Sequence, residues 1–329
     1  VSHIVVSVGG NDGLQNMGIL FEQVSTVAEG LGVLSRVITR FQAAYRRMLE
    51  EQPLDGVIIA TPHVLHAPMT LKAAKAGKHV HCEKPFSRYV GEGQAAAEAA
   101  REAGVKVVVG ETYLFLSSFV KARELIEAGE IGRPLQVRQR HGSWLERPDR
   151  PPEAPGDRSW RVDPEKSGGG DYPWIYDHAV HFFTSAEYFM LDNRIAEVYA
   201  VVARNKCAEQ RGGAAHDPYT TAAVDIPILT WKHEDPALQG LWARAERLNG
   251  KYDYVRGLST TVIGDRGMIE VLGEGGHNLL WEGRQQHLVM HRESKDTRCF
   301  RFEEGADDVW QSDISYYSQG HINQVHHFV

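Results

Sequence analysis

The feature that most restricts what this chain can become is a regular exchange of short apolar runs with helical patterns over residues 55–128. Asp55–Ala60, His79–Cys82 and Val105–Val109 read as strands. Between and after them, Ala67–Ala76, Gly91–Ala103 and Ser117–Ala128 read as helices, the last ending at Gly129. Strands that alternate with helices of roughly ten residues lie side by side in a parallel sheet, because each helix carries the chain back across it. The pattern predicts a doubly wound nucleotide-binding architecture. Upstream, His3–Val8 reads as a strand, and Ile19–Leu31 and Phe41–Glu51 read as helices.

The second half changes character. Ile195–Ala203, Ala223–Trp231, Leu258–Ile263, Met268–Leu272, Asn278–Trp281, His287–His291 and Arg298–Phe302 read as strands with no helices between them, which implies an antiparallel sheet. The expected fold is α/β: an N-terminal Rossmann-like doubly wound parallel sheet over 1–135, then an α+β domain over 136–329 with an open, mainly antiparallel sheet. A net charge of −7 gives no reason to expect nucleic acid as a partner. No apolar run nears the ~18 residues of a membrane span, and no secretory leader is visible at Val1. Cys82, Cys207 and Cys299 are odd in number and far apart, a reduced pattern that predicts a cytoplasmic protein.

Chemistry is suggested at two places. In His79-Val80-His81-Cys82-Glu83-Lys84-Pro85, the proline restricts the residue before it, so Lys84 is expected to be extended at a strand end. Open α/β sheets bind ligands at the carboxyl ends of their strands; a surface lysine in a loop is the plain alternative. The second place is the helical pattern from Pro173 to Tyr188, preceded by Gly168-Gly169-Gly170. Asp177 and His181 stand at i and i+4, hence on one face. Oxidation of an alcohol needs a base that titrates near neutrality, and histidine, at about 6.5, is one. A lysine ammonium near the same oxygen stabilises alkoxide character. Asp177, His178 and His181 also suggest a metal set, but His178 points elsewhere on the helix and no third partner is identifiable.

Other stretches are less decided. A phosphate loop after the first strand should read G-x-G-x-x-G; Gly10 and Gly13 supply part of it, with Val8 in the first glycine place, so a plain turn competes with a pyrophosphate cradle. His141–Pro164 is a long loop rich in Pro, Arg and Trp. Trp160-Arg161 is its better substrate-side candidate, and Trp144 reads as packing. The segment Trp242–Tyr254 has nothing local to distinguish it from surface decoration.

Three elements carry a family resemblance: Val57-Ile58-Ile59-Ala60-Thr61-Pro62-His63-Val64-Leu65-His66, then Ala76-Gly77-Lys78 leading into the Glu83-Lys84-Pro85 stretch, then Ser167–Gly170 followed by Asp177-His178-Ala179-Val180-His181. In this order and spacing the chain resembles the Gfo/Idh/MocA family of NAD(P)-dependent oxidoreductases. The resemblance implies hydride transfer between NAD or NADP and a secondary alcohol of a sugar, inositol or related polyol. It implies Lys84, Asp177 and His181 as the catalytic set, contributed by two domains. Thr61, Pro62, His63, His66, Glu83, Lys84 and Glu111 would line the cofactor; Gly10, Asp12, Gly13 and Arg40 are further candidates under different alignments. Tyr113, Trp160 and Arg161 would join the catalytic three at the substrate. The C-terminal sheet would serve as a homo-oligomer interface. Two other readings stand: a glycosidase using transient oxidation and elimination, and a non-catalytic ligand-binding paralogue or inactive fragment.

The sequence also departs from the family. Before Asp55 there is room for one βα unit where the family has two. Either the unit bearing the phosphate loop is missing, the favoured reading, or the second unit is abbreviated. The far end, from Gly320 on, reads like the start of a helix that family members continue, so a chain clipped at both ends is expected. The arginine common near Leu114 or Phe115 is absent.

Overall fold

The computed structural model describes residues 4–7, 42–142, 164–204, 225–245, 258–272, 287–293, 296–301, 323–325 and 327–328. Close contacts divide the chain into two compact units. One comprises residues 1–110 with 163–173 and 328–329, and the other the remainder.

The first unit is built on four parallel strands in the order β1 (Ile4–Ser7), β2 (Gly56–Ile59), β3 (His79–Glu83) and β4 (Val107–Gly110). Helix α1 (42–51) precedes β2; α2 (His63–Lys75) and α3 (Val90–Ala103) are the crossovers that make the sheet parallel. Val57, Ile59, Val80 and Cys82 are fully buried in one cluster with Tyr45, Leu49, Met69 and Ala73 from the helices. That burial explains why β2 reads as an unbroken apolar run, whereas β3 alternates its buried Val80 and Cys82 with His79, His81 and Glu83. In register, Ile59 stands beside Cys82 and Glu83 beside Gly110, so the carboxyl ends of β2, β3 and β4 finish along one edge. Helix α2 starts earlier than its apolar pattern suggests, at His63 rather than Ala67. Pro62, with φ −57°, leads in, and Pro68 is held inside the helix, where a proline usually argues for a boundary.

The second unit is an eight-stranded sheet in the order β12-β11-β10-β9-β5-β8-β7-β6. Its strands are β5 (Pro134–Gly142), β6 (Ile195–Arg204), β7 (Asp225–His233), β8 (Gln239–Ala245), β9 (Leu258–Gly264), β10 (Gly267–Leu272), β11 (His287–Arg292) and β12 (Thr297–Arg301). All neighbours run antiparallel except β5 and β8, which are parallel at the centre. Strands β5 and β8 have no counterpart in the sequence reading. β5 carries the polar run Arg138-Gln139-Arg140-His141 and β8 only the short apolar run Leu241-Trp242-Ala243, and Trp242 is read from sequence as surface decoration. Trp242 is in fact fully buried, stacked on Phe182 with ring centroids 4.7 Å apart. The expected strand Asn278–Trp281 lies outside the described residues.

Helix α4 (Ser117–Glu127), the short α5 (Pro164–Ser167) and the long α6 (Pro173–Phe189) complete the order. In α6, Ile175, Ala179, Phe182, Ala186 and Phe189 form a buried apolar stripe at helical spacing, packed in one core with Phe119, Trp242 and Val262. Beside it runs a second buried stripe that is polar: Asp177, His181 and Ser185.

Candidate active site

In the first unit, six candidates from the sequence gather where β2 and β3 end. Thr61 and His63 follow β2 and are buried; Glu83 and Lys84 end β3 and are half-buried. His66, one helical turn after His63, is 1% exposed. Its Nδ1 lies 2.8 Å from the Pro85 carbonyl and its Nε2 lies 2.7 Å from the Thr61 carbonyl. The ring therefore straps the turn after β2 to the turn after β3. A neutral imidazole donates through only one nitrogen, so protonation alone would satisfy both carbonyls. Burial opposes this and prevails: it pushes the His66 pKa down to about 4, against the pull of the Pro85 and Thr61 carbonyls and with help from neighbouring His63 and Lys84. With both nitrogens turned to backbone, His66 holds the edge in shape.

His63 does similar work on another segment. Its Nδ1 is 3.0 Å from the Ser167 carbonyl and 3.3 Å from the Ser167 hydroxyl. Arg88 donates to the Glu165 carbonyl and pairs with Glu92. Gly168, at φ +86°, lies so near Arg88 that an added Cβ would stand 3.1 Å from its Cα. Glycine is thus required there by both backbone angle and space. These contacts dock residues 165–168 onto the first unit. Arg88 was missed in the sequence, where it looks like any surface arginine. Cys82, inside the same motif, is buried, and burial pushes its thiol up to about 12, so it is no nucleophile.

These residues fit a nucleotide. The edge is the carboxyl edge of a parallel sheet, and the buried Thr61 Oγ1 beside the first turn of α2 has no hydrogen-bond partner among the described residues. A buried hydroxyl without a partner is costly unless something else supplies one. Gly10, Asp12, Gly13 and Arg40 lie outside the described residues, as do Trp144, Trp160 and Arg161.

The second unit holds Glu111, Tyr113, Asp177 and His181 within one buried cluster. Glu111 follows β4 and caps a 3₁₀ turn (Thr112–Phe115), its Oε1 accepting from the Tyr113 amide at 3.2 Å. The same Oε1 lies 2.5 Å from His181 Nδ1. The Tyr113 ring stacks on the His181 imidazole, centroids 4.3 Å apart and planes 13° from parallel. One turn on, Ser185 Oγ donates to the His181 carbonyl at 2.6 Å, and Gln139 Nε2 of β5 donates to Ser185 Oγ at 2.8 Å. The imidazole is thus fixed by a carboxylate at one nitrogen and a ring on its face, while Nε2 makes no hydrogen bond among the described residues. Asp177 is fully buried one turn before it, with His178 Nδ1 3.5 Å from its Oδ2. Among the described residues, no three metal-type side chains converge. Gln139 and Ser185 could not be found from sequence, because nothing local marks β5 as a buried strand.

Chemically, the first unit offers a parallel-sheet edge with a lysine at it. The second offers a buried, oriented imidazole with one nitrogen unengaged among the described residues, next to a buried carboxylate.

Comparison with known proteins identifies the family. The chain is 34% identical over 206 residues to an uncharacterized oxidoreductase, YrbE, of Bacillus subtilis, covering 62% of this chain and 52% of that one. It is 27% identical over 251 residues to 2,7-anhydro-N-acetylneuraminate hydratase of Escherichia coli, covering 76% and 60%. The chain therefore spans between about half and three-fifths of the length of these relatives. A solved levoglucosan dehydrogenase, in complex with NADH and levoglucosan, shares its fold with a TM-score of 0.62 at 22% identity, covering 89% of this chain and 76% of that one. Residues 20–111 match the oxidoreductase family with an NAD-binding Rossmann fold, and residues 119–270 match the GFO/IDH/MocA C-terminal domain. With the parallel sheet and its Glu83-Lys84-Pro85 edge in the first match, and Asp177 and His181 in the second, the chain belongs to the Gfo/Idh/MocA family of oxidoreductases.

Proposed function

We propose that this protein transfers hydride between a nicotinamide dinucleotide and a secondary alcohol of a sugar, inositol or related polyol. The observation that carries the reading is His181, a buried imidazole with Nδ1 engaged and Nε2 available. Thr61, with the turns that end in His63 and Lys84, would hold the dinucleotide, whose nicotinamide supplies the hydride acceptor or donor when bound. In the oxidative direction, His181 Nε2 takes the proton of the alcohol O–H. Lys84 stabilises the negative charge that grows on that oxygen. Asp177, one helical turn from His181, orients the substrate hydroxyls. Burial excludes water that would compete for the proton.

The test is alcohol-dependent reduction of NAD and of NADP across a panel of sugars and inositols. His181→Ala is expected to lower kcat by about 10²–10⁴-fold and Lys84→Ala by about 10²–10³-fold. Full activity in both variants would sink the assignment.

A second reading is favoured by the similarity to the hydratase: the same oxidation used transiently, with elimination or addition and no net change in the nicotinamide. Turnover of an anhydro-sugar or aryl glycoside without accumulation of reduced cofactor would select it. The reading also includes self-association through the open sheet face, supported by the exposure of Tyr199, Val201 and Ile228 on one face of β6 and β7. Tyr199→Lys is expected to reduce the molecular mass measured by light scattering, and an unchanged mass in both proteins argues against it.

A further inference from the structure

We infer that Glu111 is a positioning residue for His181, fixing the imidazole as the Nδ1–H tautomer so that Nε2 carries the lone pair. The inference rests on the hydride-transfer reading for its purpose, but its geometry stands by itself. Glu111 and His181 are 4% and 5% exposed, and their 2.5 Å contact joins Oε1 to Nδ1. An ionised carboxylate can only accept, so the proton of this contact belongs to Nδ1. Glu111 is in turn held by the Tyr113 amide, and Tyr113 is stacked on His181, so three groups define one ring orientation. The second oxygen, Oε2, is buried with no hydrogen-bond partner among the described residues. The one ion-pair partner of the carboxylate among the described residues is the His181 ring.

The arrangement has the form of a carboxylate–imidazole pair, in which the acid holds the ring in the useful tautomer and stabilises the imidazolium formed on proton transfer. It adds a fourth residue to Lys84, Asp177 and His181, at a position where the sequence suggested only a lining of the cofactor. As the substrate O–H bond breaks, its proton forms the new Nε2–H bond, and the positive charge spreads over a ring whose other N–H already faces Glu111.

The experiment combines ¹⁵N NMR of the histidine side chains, with His181 assigned by difference against His181→Asn, and steady-state kinetics. In the wild-type protein, His181 is expected as the Nδ1–H form; finding Nε2–H overturns the inference, whatever the activity. Glu111→Met removes the acceptor at similar length and is expected to lose the Nδ1–H preference. Glu111→Gln keeps size and an accepting oxygen, serves if the methionine variant does not fold, and is expected to lower kcat roughly 10–100-fold with KM for the alcohol changed less than about threefold. A Glu111→Gln enzyme with unchanged kcat, or with a loss confined to KM, overturns the positioning role. If no alcohol supports turnover in the wild type, the hydride-transfer reading fails, while the tautomer measurement still decides the geometry.

Discussion

His66 and His181 are both almost fully buried, yet they have opposite chemical uses. His66 faces a backbone carbonyl with each nitrogen, and burial holds it neutral down to about pH 4. Its ring is committed to joining two turns of the parallel-sheet edge. His181 faces a carboxylate with one nitrogen, while the other makes no hydrogen bond among the described residues. The difference lies in the partners. Carbonyls on both sides make a strap, whereas a carboxylate on one side suits the base proposed above. Helical spacing marked His181 and the family resemblance marked His66, and only their partners separate the two.

The sharpest way to break this comparison is to substitute each histidine and measure both activity and stability. His181→Ala should show its largest effect in kcat, by the factors given above. His66→Gln should show its main effect in stability, because a flexible amide in place of the rigid ring leaves the Pro85 or the Thr61 carbonyl without its contact. A cost of about 1–3 kcal/mol in denaturant unfolding at pH 7 is expected. A His66→Gln protein of wild-type stability would mean that the strap carries no energy.

Acid titration sharpens it further. The folded His66 pKa of about 4 lies below the unfolded value near 6.5. Between these values the unfolded chain binds a proton that the folded chain does not. Stability from this group is therefore complete above about pH 6.5, falls as pH drops towards about 4, and changes no more below that. The wild type should lose on the order of 3 kcal/mol more than His66→Gln across this window. Parallel curves for the two proteins would place the His66 titration elsewhere.

The smallest effect concerns Thr61, whose carbonyl faces the strap and whose hydroxyl has no hydrogen-bond partner among the described residues. Thr61→Val should leave the melting temperature unchanged or slightly raised. It should weaken dinucleotide binding by about fivefold to tenfold, the worth of one hydrogen bond. A large drop in melting temperature would instead assign the hydroxyl to the fold.

Much of the fold was legible in the sequence because parallel strands buried on both faces must be apolar throughout and must be separated by helices. Val57-Ile58-Ile59, buried throughout, announces itself in this way. Strands β5 and β8 do not, since the inward residues of β5 include Gln139 and those of β8 include Arg244 beside Trp242. A strand that buries polar groups has no compositional signature. The return of residues 163–173 to the first unit is equally silent, because it depends on His63 and Arg88 meeting Ser167 and Glu165 across long stretches of chain.

The sequence by itself determined the alternation that forces a parallel sheet, the lysine at a strand end, and the helical spacing that puts Asp177 and His181 on one face. These follow from local rules of chain geometry, which act over a few residues. Tertiary structure alone decided that Glu111, seventy positions away, meets His181 Nδ1, and that His66 spans two turns. A hydrogen bond between distant residues exists only once the core has fixed both backbones, and no local pattern encodes which donor will find which acceptor.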